Sequence, residues 1–391
     1  MIRSMDQKKC AARMGKIVPF YVMDLLARAK ELEAGGRSVI HMEVGEPDFK
    51  TAGPVVDAGK RALDAGHTGY TAATGIPQLK EAIARHYRDW FQVDVDPRRI
   101  IITPGASGAL QLILGVLVDP GREVLMTDPG YPCNKNFVEF FSGVPKALAV
   151  GPENGYQLDS GQVANGWTES TCAALVATPS NPTGTLLPRE ELSRIHGVVN
   201  SKGGTLIVDE IYQGLVYGTD NYTALSLGDD LFVLNSFSKF FGMTGWRLGW
   251  LVAPEPYIDH LDSLAQNIFL SCSAPAQYAA LEAFSPQCYE IFRKRRDEFK
   301  KRRDFLLPAL KSLGFEIPVR PEGAFYLYAN CSRLTDDSFK FCYELLEAEG
   351  VAITPGKDFG TNRPEEHIRF AYTTGIERMK EAVDRLHRFI G

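Results

Sequence analysis

The chain has 391 residues, with 43 Lys and Arg against 48 Asp and Glu and a formal charge of −5. Hydrophobic residues make up 45% and charged residues 23%, the balance of a globular enzyme of two or three domains that needs no disulfide scaffold. The mild acidity excludes a broad nucleic-acid surface, which would be basic, but leaves room for a closed anionic site. Seven cysteines form no C-x-x-C pair and seven histidines no H-E-x-x-H, so no metal site is expected, and free thiols in a reducing cytoplasm are. The N-terminus is basic without an apolar core, unlike a secretory signal. The longest apolar stretch, around Leu112–Val118, falls far short of the roughly 20 residues a membrane helix requires.

In chain order, a helix is expected over residues 20–35, ending at Gly35-Gly36. From about residue 100 β-rich runs alternate with helical segments. The runs are IIIT at 100–103, VLMT at 124–127, ALVAT at 174–178, LIVDE at 206–210, FVLNS at 232–236 and GWLVA at 249–253. Ala106–Val118 and Arg189–Asn200 are two of the helices between them. Such alternation predicts βαβ units and a mainly parallel sheet with ligands at its carboxyl ends. After Pro275 one long helix is expected to about Leu313, with Phe292, Phe299 and Leu306 spaced by seven. Its basic run, RKRRDEFKKRRD, is read as a solvated face because Asp297, Glu298 and Asp304 are interleaved. FYLYANC, a helix at about 336–349, VAITPG, IRFAYTT and a closing helix then form a smaller α/β domain.

Four motifs carry chemistry. Lys239 follows a buried strand in Ser236-Phe-Ser238-Lys239. Burial lowers a lysine's pKa and suits it to Schiff-base formation, although a strand-end lysine can equally snorkel to solvent. Asp209 ends an apolar strand, where a carboxylate needs a cation or donors, or else caps a helix. Asn181 lies in a turn-rich loop after a strand, a plain loop when taken alone. Thr103-Pro-Gly-Ala-Ser-Gly-Ala109 joins a strand to a helix whose free amides favour phosphate; it is neither Walker A nor G-x-G-x-x-G.

Together a Schiff-base lysine, a strand-end aspartate, a phosphate-cradling helix start and Arg247 describe a site for pyridoxal 5′-phosphate. Asp209 follows Asn181 by 28 residues, Tyr212 follows Asp209 by three and Arg247 follows Lys239 by eight. This order and spacing resembles the class I and II aminotransferases, fold-type I pyridoxal-phosphate enzymes, from about Gly45 to Arg369. The resemblance implies an α/β fold: a three-layer large domain on a mainly parallel seven-stranded sheet, over residues 46–275. A smaller α/β domain would combine the N-terminal arm and helix, 1–45, with an interdomain helix and C-terminal part, 276–391.

It also implies roles. Lys239 would bind the cofactor and shuttle the substrate Cα proton, and Asp209 would hold the pyridine nitrogen protonated. Asn181 and Tyr212 would bond the 3′-oxygen, with Tyr131 stacked on the ring. Ala106, Ser107, Ser236, Ser238 and Arg247 would hold the phosphate, joined by Tyr70 from a neighbouring subunit of a homodimer. Arg369 would grip the substrate α-carboxylate, with Gly45 on its other side and Asn181 nearby. Phe20, Tyr21 and Phe269 are candidate pocket residues.

The implied reaction moves an amino group from an L-amino acid to a 2-oxo acid such as 2-oxoglutarate or pyruvate, ping-pong through pyridoxamine phosphate. The segment Gln266–Pro275 holds no cation for a second carboxylate, so a neutral or aromatic donor is favoured, with aspartate retained as an alternative. A carbon–sulfur β-lyase on the same fold is the competing reaction. A serine acyl enzyme, from Ser236-x-x-Lys239 and Tyr328-Ala-Asn330, lacks a K-T-G motif. A regulatory sensor would need a DNA-binding extension, for which the residues before Gly45 leave no room.

Overall fold

The computed structural model describes residues 10–218 and 221–391. Its strands are β1 (Ile40–His41), β2 (Ile100–Thr103), β3 (Glu123–Asp128), β4 (Val144–Ala149), β5 (Thr171–Ala177) and β6 (Thr205–Asp209). They continue with β7 (Phe232–Ser236), β8 (Gly249–Val252), β9 (Tyr326–Asn330), β10 (Val351–Ala352), β11 (Thr354–Pro355) and β12 (His367–Ala371). The helices are α1 (Tyr21–Ala34), α2 (Gly53–Asp64), α3 (Pro77–Phe91), α4 (Gly105–Leu117), α5 (Pro132–Phe140) and α6 (Ser160–Gly166). The remaining six are α7 (Arg189–Ser201), α8 (Ile258–Ile268), α9 (Ala274–Glu282), α10 (Pro286–Ser312), α11 (Ser338–Glu349) and α12 (Ile376–Ile390).

Seven strands form one sheet in the order β2-β8-β7-β6-β5-β3-β4, with β8 alone running against its neighbours. The central strands β5 to β8 are mostly apolar because the sheet is buried on both faces there. Their period of two divides the core cleanly: Leu206, Val208 and Val233 pack on one side, Ile207, Phe232 and Leu234 on the other. Full burial of each such side chain contributes about 1.5–3 kcal/mol. The parallel run ends with Asp209, Ser236 and the loops after them on one edge, where a doubly wound sheet opens its ligand crevice. A three-stranded antiparallel sheet, β11-β12-β9, carries Arg369 in its middle strand, and β1 pairs with β10.

Three expectations need correction. The stretch after Pro275 is two helices, not one. Ser285 accepts a hydrogen bond from the Cys288 amide and Pro286 takes the first helical position, which starts α10 afresh. The basic run is not wholly solvated either. Arg302 and Arg303 are buried, Arg302 donating to both oxygens of Asp48 (2.8 and 3.0 Å) and Arg303 to the Pro321 carbonyl (2.8 Å). The sequence VAITPG is not one strand, since β10 and β11 belong to different sheets. The edge strand β4 escaped the pattern because it is half exposed and carries Pro145, which only an edge tolerates. All seven cysteines are free thiols. No helix among the described residues is long and apolar enough to cross a membrane.

Candidate active site

Strand ends and loops bring the predicted residues to two adjoining cavities that share Tyr131, Ile211 and Lys239. The first has a volume of about 120 Å³ and is lined by Ala106, Ser107, Asp209, Ser236, Ser238 and Arg247 among others. The second has a volume of about 190 Å³ and is lined by Gly45, Asn181, Tyr212 and Arg369 among others.

Lys239 sits in the turn after β7, with its ammonium donating to the Gly45 carbonyl at 2.7 Å. Burial pushes its pKa down to about 8; Glu46 opposes the shift, and Arg369 and Arg247 reinforce it. Asp209 closes β6 with its carboxylate accepting from the Ile211 amide at 3.0 Å. Burial pushes it up to about 7, against that hydrogen bond and the Lys239 charge. A carboxyl raised and an amine lowered in one cavity is the pattern of groups matched to proton transfer near neutral pH.

At the far end of this cavity α4 starts without a side-chain cap, so the amides of its first turn are unsatisfied from within the chain. Arg247 approaches that turn so closely that a Cβ on Gly105 would lie 2.8 Å from its Nη2. A Cβ on Gly249 would lie 2.7 and 2.8 Å from the backbone of Gly105 and Ala106. The Ser236 hydroxyl donates to the Ser238 hydroxyl and accepts from the Ser238 amide, both at 3.0 Å.

This donor set fits pyridoxal 5′-phosphate. Uncapped amides, two hydroxyls and a guanidinium suit a phosphate dianion. The under-bonded carboxyl of Asp209 suits a pyridinium nitrogen, and the lowered amine of Lys239 suits an aldehyde.

The second cavity is organised by Arg369. Its Nη1 donates to Asn181 Oδ1 at 2.8 Å, and its Nη2 to the Glu43 carbonyl at 2.5 Å and to Thr354 Oγ1 at 3.3 Å. The guanidinium stacks between the rings of Tyr326 (4.4 Å) and Phe359 (4.7 Å), while its Nε is buried without a partner. Fixed neutral acceptors, stacked faces and a free donor leave a cation ready for a carboxylate. The Tyr212 and Tyr326 hydroxyls bond at 2.7 Å. A Cβ on Gly45 would fall 2.0 Å from the Tyr326 oxygen, so the glycine allows that close approach.

Some expected residues are not brought in. Tyr70, expected to act in a neighbouring subunit's site, is 84% exposed and lines neither cavity of its own chain. Tyr21 packs its ring on Phe339 instead, and Phe269 lines neither cavity, whereas Phe20 does line the second. The acyl-enzyme constellation is not assembled: Tyr328 stacks on His367 and Asn330 bonds Glu366. Glu43, Thr354, Tyr326, Asp358 and Phe359 were missed. Only Tyr326 had a local signal, as an inward position of FYLYANC.

Residues 37–386 match the family aminotransferase class I and II. The chain is 37% identical to the (5-formylfuran-3-yl)methyl phosphate transaminase of Methanocaldococcus jannaschii, covering 95% of this chain and 96% of that one. It is 35% identical to the valine–pyruvate aminotransferase of Mycobacterium tuberculosis, covering 97% of each. A crystal structure of an aminotransferase from Mycobacterium tuberculosis superposes with a TM-score of 0.95 at 34% identity, covering 98% of this chain and 99% of that one.

Proposed function

The chain belongs to the class I and II aminotransferases, pyridoxal-phosphate enzymes, and on that premise we propose that it transfers the amino group of a neutral or aromatic L-amino acid to a 2-oxo acid. The observation that carries this reading is the convergence of Lys239, Asp209 and Arg369 on two joined cavities. When bound, pyridoxal phosphate supplies an aldehyde that takes up the amino group and a ring that stabilises the charge left at Cα.

The chain's own residues do the rest. Ala106, Ser107, Ser236, Ser238 and Arg247 bind the phosphate, and Tyr131 packs on the ring. Asp209 would hold a proton on the ring nitrogen, and that cation would in turn stabilise its carboxylate. Asn181 and Tyr212 hydrogen-bond the ring oxygen. Arg369, with Gly45 and Asn181 beside it, binds the α-carboxylate and orients the Cα–H bond towards Lys239. Lys239 takes that proton and returns it one position along, base and then acid, and a pKa near 8 serves both steps. Among the described residues lining the second cavity only Lys239 and Arg369 are cationic, which favours a donor with one carboxylate over aspartate. The transaminase names of the relatives favour transamination over carbon–sulfur elimination.

The assembly we propose is a cytoplasmic homodimer in which the exposed Tyr70 of one protomer completes the phosphate site of its partner. The test of function is a half-reaction panel: holoenzyme mixed with single amino acids and no acceptor. Neutral and aromatic donors are expected to bleach the cofactor's visible band, and a 2-oxo acid to restore it. Cofactor-loaded protein that no donor bleaches would overturn transamination. Pyruvate and ammonia released from cystathionine without any 2-oxo acid would establish the lyase.

A further inference from the structure

Helix α1 has no cap of its own, since Phe20 at its N-cap offers no side-chain acceptor. The amides of Tyr21 and Val22 donate instead to the two carboxylate oxygens of Asp358, at 2.7 and 2.8 Å. Asp358 is 337 residues from Tyr21 along the chain and ends the turn after β11. A carboxylate there gains both the hydrogen bonds and the favourable field of the helix start.

The capped turn is part of the substrate-side cavity, whose wall includes Phe20, Val22 and Met23 from α1 together with Asp358 and Phe359. The segment bearing Asp358 is fixed at neighbouring points. Phe359 packs on Arg369, and its carbonyl accepts from the Gly130 amide at 2.8 Å, next to Tyr131. Thr361 donates through its amide (2.9 Å) and hydroxyl (2.8 Å) to Asp128 at the end of β3. The group that seats α1 is therefore placed against the Arg369 guanidinium and the large sheet together.

We propose that Asp358 is a positioning residue that determines specificity: it holds the apolar first turn of α1 against the side chain of the amino-acid substrate. The substrate class is neutral L-amino acids with bulky apolar or aromatic side chains. This rests on the aminotransferase reading of the same site and sharpens it. The wall is apolar where α1 supplies it, and the Asp358 carboxylate beside it opposes a second substrate carboxylate. Asp358 itself is committed to α1, so it acts through the helix and not on the reacting atoms.

The test compares holoenzyme of wild type, Asp358→Ala and Asp358→Asn with phenylalanine, leucine and alanine as donors. Alanine has no atoms beyond Cβ to meet the wall. Losing the contact of one buried apolar side chain corresponds to about 10- to 150-fold. Asp358→Ala is expected to lose that much kcat/KM for phenylalanine and leucine, mainly through KM, with alanine little changed. Asp358→Asn keeps one acceptor oxygen and falls between. Met23→Ala trims the wall and leaves the cap, and is expected to lower the same two donors even where Asp358→Ala fails to fold. Hydrogen exchange is expected to quicken at the Tyr21 and Val22 amides of Asp358→Ala and not in the central sheet. Equal losses for all three donors, unchanged exchange at those amides, or a wild type that prefers alanine would overturn the proposal. A wild type inactive with every donor would instead sink the aminotransferase reading, and exchange would still decide whether Asp358 seats α1.

Discussion

Arg369 and Asn181 stand 188 residues apart in sequence, and the guanidinium Nη1 donates to the Asn181 side-chain oxygen at 2.8 Å. The bond joins the small antiparallel sheet to the loop after β5, so the cation proposed to bind the substrate carboxylate is oriented by the asparagine proposed to face the cofactor. Arg369→Lys keeps the charge but loses the fork and the stacking between Tyr326 and Phe359. One lost charge-assisted hydrogen bond costs about 1.5–3 kcal/mol, so kcat/KM for donor and 2-oxo acid alike is expected to fall about 10- to 150-fold. Steady-state kinetics on both substrates, with cofactor affinity unchanged, checks this.

Lys239→Ala is expected to abolish turnover. The proton-transfer role alone is worth about 10²–10⁴-fold, and the covalent attachment is lost as well. The variant should keep the far-ultraviolet circular dichroism of the wild type but lack its visible cofactor band. Substantial residual transamination would remove Lys239 from the mechanism.

Gly249→Ala probes the phosphate end. Its Cβ would press on the backbone of Gly105 and Ala106 from under 3 Å, and backbone cannot rotate aside. Overpacking of this kind costs about 1–3 kcal/mol and displaces the start of α4. Weaker pyridoxal-phosphate binding is expected, with KM for the amino donor little altered in protein saturated with cofactor. Fluorescence titration of the cofactor-free protein measures the first effect.

Asp209 makes the empty site costly. Its folded pKa is raised from 3.8 to about 7 by burial, so the folded chain still holds a proton that the unfolded chain has released. Stability of the cofactor-free protein therefore falls as pH rises across that window. Lys239, lowered from 10.5 to about 8, acts the other way: its cost is present below about pH 8 and is relieved as pH rises to 10.5. Cofactor-free Asp209→Asn should lack the first slope and be more stable than cofactor-free wild type at pH 7–8, by up to about 4 kcal/mol. It should also bind pyridoxal phosphate more weakly. Thermal unfolding of both at pH 5 and pH 8 tests this, and parallel pH dependence in the two proteins would refute it.

The parts legible in sequence were those whose chemistry conflicts with their local setting. Lys239 just beyond FVLNS and Asp209 at the end of LIVD are charges at the ends of apolar strands, and such conflict is visible without coordinates. The α4 start was legible because strand, Pro-Gly and helix follow one another directly. Asp358 had no such signal: beside Lys357 it looks like any exposed loop acid, and its partners are amides more than 330 residues away. Thr354 and Glu43 act through a hydroxyl and a carbonyl on Arg369, which sequence spacing cannot reveal. The burial of Arg302 and Arg303 is not legible in the basic run, because Asp48 and the Pro321 carbonyl, their partners, lie outside it. The break before α10 was there to be read, in Ser285-Pro286.

Consider finally the spacing of Asp358, Phe359 and Thr361. Within four residues they reach the first turn of α1, the guanidinium face of Arg369 and the end of β3. Such a stretch works as a ruler. Side chains along it can be exchanged one at a time, but its length cannot change, since deleting one residue would throw three attachments out of step together. Efforts to retrain the enzyme towards new donors should therefore keep this stretch at its present length and vary the helix it holds.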